Sequence, residues 1–323
     1  MRKARLGTIG EVSRLTLGGG GIGLIWGETT REEAIATLRE AIDSGIDLID
    51  TAPLYGACEA IIGEAFEGKL PAKTIITSKC ALGSPPPGEV AIRLETALDN
   101  SLEVMRLDRV DLYFLHSNIA PDDYAYAHGD ARRDQFSTKW SLYESELLPA
   151  FERLKEKGKI GAWCITGVGV PDTIVRALSH KPQPAVAQIV ANLMDSAGGL
   201  RRFHERADPR RIIAAARANG VGVMGIRAVQ AGALTAAMDR ALSPNQPDAR
   251  DYDGAAPFRA LCRRWGIDPA IVAHRYALSI PGVDTVVLGV KNRQELRQTL
   301  AAEAAGPLAQ GQMAEIDSLG LKV

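Results

Sequence analysis

Charge of one sign is missing from this 323-residue chain: 38 Lys and Arg stand against 39 Asp and Glu, a formal net charge of -1. Nucleic acid and anionic membranes are held by a summed positive field, so neither is an expected partner. A small, neutral molecule is. Cysteine is sparse: Cys58, Cys80, Cys164 and Cys262 lie far apart and form no CxxC or zinc-finger spacing, and the five histidines hold no HxxxH pair. This argues against a disulfide scaffold and a metal site, and for a reduced, cytoplasmic protein. Long apolar runs are absent too. The stretch 15–26 is broken by five glycines, is not expected to be a signal peptide, and falls short of the roughly 18 residues a bilayer span needs.

What remains is a composition with 46% apolar residues, 24% charged residues and 17 dispersed prolines, enough to bury a large core and incompatible with disorder or collagen. Length alone leaves the choice between two domains and one α/β barrel. Periodicity narrows it. Segments 5–9 and 11–17, joined at Gly10, read as a short hairpin whose second arm runs into the glycines that start at Gly18. Thr30 and Glu33 have capping-box spacing ahead of a helix with Ile35, Leu38 and Ile42 on one face, stopped at Gly45. Strand-like segments at 46–50, 74–79, 110–116, 160–166, 185–190, 221–226 and 284–288 then alternate with helical ones. Leu94, Leu98, Leu102 and Met105 mark the inner stripe of one helix, and Leu147, Phe151 and Leu154 that of another. With 13–18 as a strand, the sequence holds eight βα units.

Short apolar strands, each followed by a helix, imply an α/β fold with a parallel sheet covered by helices. Eight such units close into a (β/α)8 TIM barrel, here a single domain over 1–323 preceded by the hairpin. A doubly wound sheet is the competitor, because Gly18-x-Gly20-x-x-Gly23 matches a dinucleotide fingerprint. That fingerprint needs its glycines to open a helix, however, and 24–29 intervene before Thr30. Two connections, after the fourth and seventh strands, are long. Residues 117–143 carry Tyr124, Tyr126, His128, Phe136 and Trp140, which argue against disorder, and 229–253 reads as a flap.

Active sites of such barrels lie at the C-terminal ends of the strands. Asp50 ends the second strand and Tyr55 follows in Asp50-Thr-Ala-Pro-Leu-Tyr-Gly56, while Lys79 ends the third strand and His116 the fourth. Adjacent strands are about 4.8 Å apart, which brings the four tips to one rim. A phenol is a poor acid at neutral pH, and a nearby ammonium favours its phenolate, so Lys79 is expected to activate Tyr55. Asp50 would hold and aim Lys79, and His116 would donate a hydrogen bond to a substrate oxygen. Each residue alone has a plainer reading: an ion pair closing the barrel, a ring over a turn, a core histidine. Four together at successive strand ends do not.

These residues resemble the catalytic tetrad of the aldo-keto reductases. The resemblance runs over nearly the whole chain through Asp108-Arg-Val-Asp-Leu-Tyr-Phe-Leu-His116, Gly158-Lys-Ile160, Gln188, Gly220-Val-Gly-Val223, and Ile280-Pro-Gly282 to Gly289. It implies extended NADP(H) across the strand ends, hydride transfer to a carbonyl carbon, and Tyr55 protonating the oxygen. It places Thr166 and Gln188 at the nicotinamide carboxamide. Gly167 stands where the family usually has Asn, with Asn192 as a partial substitute. Gly289, Lys291 and Arg293 match the loop receiving the adenosine 2′-phosphate. Glu295 departs from the basic or amide residue common there and suits a ribose hydroxyl, which admits NAD(H), although Asn292 and Glu295 also have helix-cap spacing. Arg227 departs from an aromatic-serine segment and is expected to reach pyrophosphate or substrate.

Trp26, Tyr124, Tyr126 and Trp140 are the expected lining of the substrate pocket, and Cys80 and Cys164 are expected core fillers. The resulting expectation is an enzyme, a carbonyl reductase preferring NADPH and acting on a hydrophobic or cyclic ketone, as a monomer or small homo-oligomer. A sugar dehydrogenase or aldehyde reductase is the alternative within the family. A Schiff-base lyase using Lys79 and a nucleotide-sensing subunit are alternatives of other classes.

Overall fold

The computed structural model describes residues 1–126 and 133–323; His128 lies outside the described residues. The strands, in chain order, are β1 (Lys3–Leu6), β2 (Gly10–Ser13), β3 (Leu15–Gly18), β4 (Leu48–Asp50), β5 (Ile75–Cys80), β6 (Val110–Leu115), β7 (Asn118–Ala120), β8 (Ser137–Lys139), β9 (Ile160–Thr166), β10 (Val186–Val190), β11 (Gly222–Ile226) and β12 (Thr285–Leu288). Eight of these, β3-β4-β5-β6-β9-β10-β11-β12, close into a parallel barrel. The expected (β/α)8 architecture is therefore the observed one. Among the described residues no helix is long and apolar enough to cross a membrane.

The helices bury the stripes their periodicity announces. Thr30 caps Arg31–Asp43 by accepting the Glu33 amide at 3.2 Å, and Leu94, Leu98, Leu102 and Met105 are all buried. Leu147, Phe151 and Leu154 are buried as expected, but the helix carrying them is interrupted by a π-helical turn at Tyr143–Leu147. The 229–253 connection is not a plain flap: its end is the helix Pro247–Gly254.

The hairpin turns two residues earlier than its glycine pattern predicts, centred on Thr8. β1 pairs with β2 from Lys3↔Ser13 to Leu6↔Gly10, and Gly7, not Gly10, enters the turn, at φ +48°. Packing decides this. A Cβ on Gly7 would lie 2.6 Å from the Gly222 amide, so the turn sits against the start of β11, a contact only glycine permits. Leu6 and Val12 join Leu48, Leu112, Phe114 and Met224 in one cluster. The hairpin thus covers the floor of the barrel, at the N-terminal ends of its strands.

The glycines after β3 serve contact between backbones. A Cβ on Gly21 would lie 2.0 Å from the Val290 carbonyl, and one on Gly23 1.9 Å from that of Tyr55. The short turn Gly19–Ile22 is thereby pressed between the segments following β12 and β4, on the rim where the candidate site lies.

Candidate active site

Asp50 and Lys79 occupy the end of β4 and β5 and are withdrawn from solvent, at 1% and 0% exposure. The Lys79 ammonium donates to Asp50 Oδ1 at 2.6 Å and to the Thr51 carbonyl at 2.9 Å. Asp50 Oδ1 also accepts from Thr77 Oγ1 at 3.0 Å and Gln188 Nε2 at 2.6 Å. Burial lowers the Lys79 pKa, and the neighbouring Asp50 carboxylate opposes that shift. A buried charge needs such a partner.

Tyr55 is half-buried above this pair, its ring centroid 4.6 Å from the Lys79 ammonium and 5.6 Å from the His116 ring, edge to face. The expectation that Lys79 makes this phenol more acidic is corrected. Burial, with the Asp50 charge next in importance, raises the Tyr55 pKa well above its ordinary value. The ammonium faces the ring rather than donating to its oxygen, and its charge is largely matched by Asp50. Tyr55 is therefore a protonated donor at neutral pH. Its hydroxyl has no hydrogen-bond partner among the described residues.

His116 is neutral over the same range, because burial and then Lys79 lower its pKa from 6.5 to about 3. Its Nδ1 is buried without a partner, as is the hydroxyl of Thr166 at the end of β9. Buried polar atoms are seldom left unpaired, and a ligand or water at the rim would complete these two; Tyr143 Oη and His180 Nδ1, in the helical layer, are unpaired as well. The depressed pKa fixes a sign. Between pH 6.5 and about 3 the unfolded chain binds the His116 proton and the folded chain does not, so stability falls as pH falls through that window. Denaturant titrations at stepped pH are expected to show a shallower acid loss for His116→Gln than for the wild type.

The expected cofactor residues divide. Thr166 and Gln188 are register partners on β9 and β10, facing the Asp50 pair. A Cβ on Gly289 would meet nothing within 4 Å, leaving room for a ligand at the end of β12. Asn192 is corrected to a framework role: fully buried, it donates to the Ser196 and Arg227 carbonyls and to Gln230, and accepts from the Met194 and Ser196 amides. Arg227 is likewise turned inward, onto Asp248 and Gln230. Its own backbone is left-handed, φ +60°, a strained state of the kind that gathers at functional loops. Asn292 caps Arg293–Ala304 through the Glu295 amide at 2.9 Å, while the Glu295 carboxylate turns to Lys291.

Of the expected pocket aromatics, Trp26 lies on this rim, over Gly20, with Arg240 5.1 Å from its ring. Tyr124 and Tyr126 stack edge to face, and the Tyr124 hydroxyl donates to Glu205 at 2.6 Å, tying the loop after β6 to the one after β10. Trp140 is corrected. It packs between Arg176, 3.8 Å from its ring, and His180, within the helical layer. Sequence reading missed the exposed apolar side chains Leu24, Ile25 and Leu54, on two segments that meet where Gly23 packs on the Tyr55 carbonyl and Gly56 on Ile25. No periodicity marks such residues. Cys80 and Cys164 are buried with raised pKa values, consistent with inert fillers. Two cavities, of about 520 and 610 Å³, border the C-terminal tail and contain none of the tetrad. Converging titratable side chains, rather than cavity size, make the rim the candidate site.

The Aldo/keto reductase family model matches residues 14–320. The chain belongs to this family, NAD(P)H-dependent oxidoreductases acting on aldehydes, ketones or sugars. It is 25% identical to an L-galactose dehydrogenase of Arabidopsis thaliana, over 98% of this chain and 89% of that one. It is also 25% identical to an NADH-specific methylglyoxal reductase of Escherichia coli, over 94% and 93%. An aldo-keto reductase from Klebsiella pneumoniae, solved in complex with NADPH, shares the fold at a TM-score of 0.69 and 21% identity, over 100% and 96% of the two chains.

Proposed function

We propose that this chain reduces a carbonyl group to an alcohol with Tyr55 as the proton donor. The observation carrying this reading is a protonated phenol whose hydroxyl has no hydrogen-bond partner among the described residues, its ring over a buried Asp50–Lys79 pair and against a neutral His116. The two orphaned polar atoms at the strand ends, His116 Nδ1 and Thr166 Oγ1, fit a ligand whose polar groups complete them. Thr166, Gln188 and the Gly289 loop with Lys291, Arg293 and Glu295 would hold a nicotinamide coenzyme. Bound there, it supplies hydride to the carbonyl carbon.

The residues of the chain do the rest. As negative charge develops on the carbonyl oxygen, Tyr55 releases its proton to it, and His116, as neutral imidazole, orients that oxygen. The phenolate left behind meets the Lys79 ammonium only at its ring face, and because burial and Asp50 disfavour the anion it is short-lived until a proton returns. Asp50, held by Thr77 and Gln188, keeps the ammonium charged and in place. Lys79 is wholly buried and ion-paired, which disfavours the Schiff-base alternative, since such a lysine must meet substrate as a free amine.

The apolar side chains of Leu24, Ile25 and Leu54, with Trp26, support a hydrophobic or cyclic ketone as substrate. A second reading, oxidation of a sugar, is favoured by the full-length likeness to the L-galactose dehydrogenase. Loss or gain of reduced-nicotinamide absorbance, tested with cyclic ketones, methylglyoxal and L-galactose, separates them. The expected result is a kcat/KM for a cyclic ketone at least about tenfold above the other two. A preference for L-galactose would establish the second reading, and coenzyme binding without any turnover would favour the sensing subunit.

A further inference from the structure

Both cations that would receive a 2′-phosphate are already occupied by carboxylates, two of them from distant parts of the chain. Lys291 Nζ lies 2.9 Å from Asp239, on the connection after β11, and 2.5 Å from Glu295. Its amide also donates to Glu295, at 3.1 Å. Arg293 is gripped by Glu33, on the helix after β3: the guanidinium meets both carboxylate oxygens at 2.8–3.2 Å, and the Arg293 amide donates to one of them at 2.9 Å. One turn along the helix Arg293–Ala304, Arg297 is bound by Glu40 of the same helix as Glu33. With Arg240, 3.2 Å from Asp239, four cations face four carboxylates, which leaves no positive charge over for a phosphate.

A phosphate monoester brings close to two negative charges to such a place. It would have to displace these carboxylates from their cations while remaining near them. A free ribose 2′-hydroxyl faces no such conflict, because a hydroxyl donates to a carboxylate. The lysine end is also partly sheltered, with the Lys291 side chain 17% exposed, so solvent screens its charges incompletely. The backbone at Gly27 runs close by: a Cβ there would lie 3.3 Å from the Asp239 carboxylate and 3.4 Å from the Lys291 side chain.

We infer that this chain takes NADH in preference to NADPH, and that Asp239 and Glu33, by neutralising Lys291 and Arg293, determine that preference together with Glu295. The inference rests on the oxidoreductase reading above and is separable from it by direct binding. Titration of the protein with NADH and with NADPH, followed by tryptophan-to-nicotinamide energy transfer, gives both dissociation constants without turnover. The wild type is expected to bind NADH at least about tenfold more tightly than NADPH. In the double variant Asp239→Asn, Glu33→Gln, NADPH affinity is expected to rise at least about tenfold while NADH affinity moves less than about threefold. That retained NADH binding also shows the variant to be folded. Equal or tighter binding of NADPH by the wild type overturns the inference, and an unaltered NADPH affinity in the variant overturns the roles of Asp239 and Glu33. Binding of neither coenzyme overturns the oxidoreductase reading itself, and the inference with it.

Discussion

Tyr55→Phe is expected to lower kcat for carbonyl reduction by about 100- to 10,000-fold while changing coenzyme affinity by less than about threefold. The hydroxyl is lost but the ring remains, so the packing against His116 and the contact with Lys79 persist. Only the proton available to the developing alkoxide disappears. Because burial and Asp50 keep this phenol protonated, its ionisation does not limit activity near neutrality. Steady-state turnover with direct coenzyme titration checks both halves. A variant retaining most of its kcat would remove Tyr55 from the reaction.

Lys79→Met is expected to cost about 3–5 kcal/mol of stability as well as nearly all turnover, since it strands the Asp50 carboxylate in the barrel interior without its cation. Thr77 and Gln188 still donate to that oxygen, but neither neutralises it. The double change Lys79→Met, Asp50→Asn removes the stranded charge, so it is expected to be more stable than Lys79→Met alone. Denaturant unfolding of the three proteins measures the coupling. If the single and double variants unfold together, the pair is not an electrostatic unit.

The barrel was legible because its information is local and repetitive. Strand 160–166 and the cap at Asn292 follow from runs and spacings within a few residues. The tetrad was legible for a related reason, each member sitting at a strand end that the repeat defines. What escaped depends on partners far along the chain. Lys291 and Arg293 read as free cations until Asp239, 52 residues away, and Glu33, 260 away, are brought onto them. Gln188 donates to Asp50 across 138 residues, a contact no spacing encodes. Asn192 and Trp140 were misjudged because residue type says what a side chain can bond, not whether that capacity is already taken up inside the protein. The Tyr55 shift failed differently: the ammonium was correctly placed nearby, but its charge was counted without Asp50 and without the burial of both.

The covered floor of the barrel has a consequence for stability. With Leu6 and Gly7 seated against the start of β11, a side chain at position 7 would push the hairpin off the strand ends and let water reach Leu48, Leu112, Phe114 and Met224. One glycine thereby protects the barrel from the end opposite the tetrad.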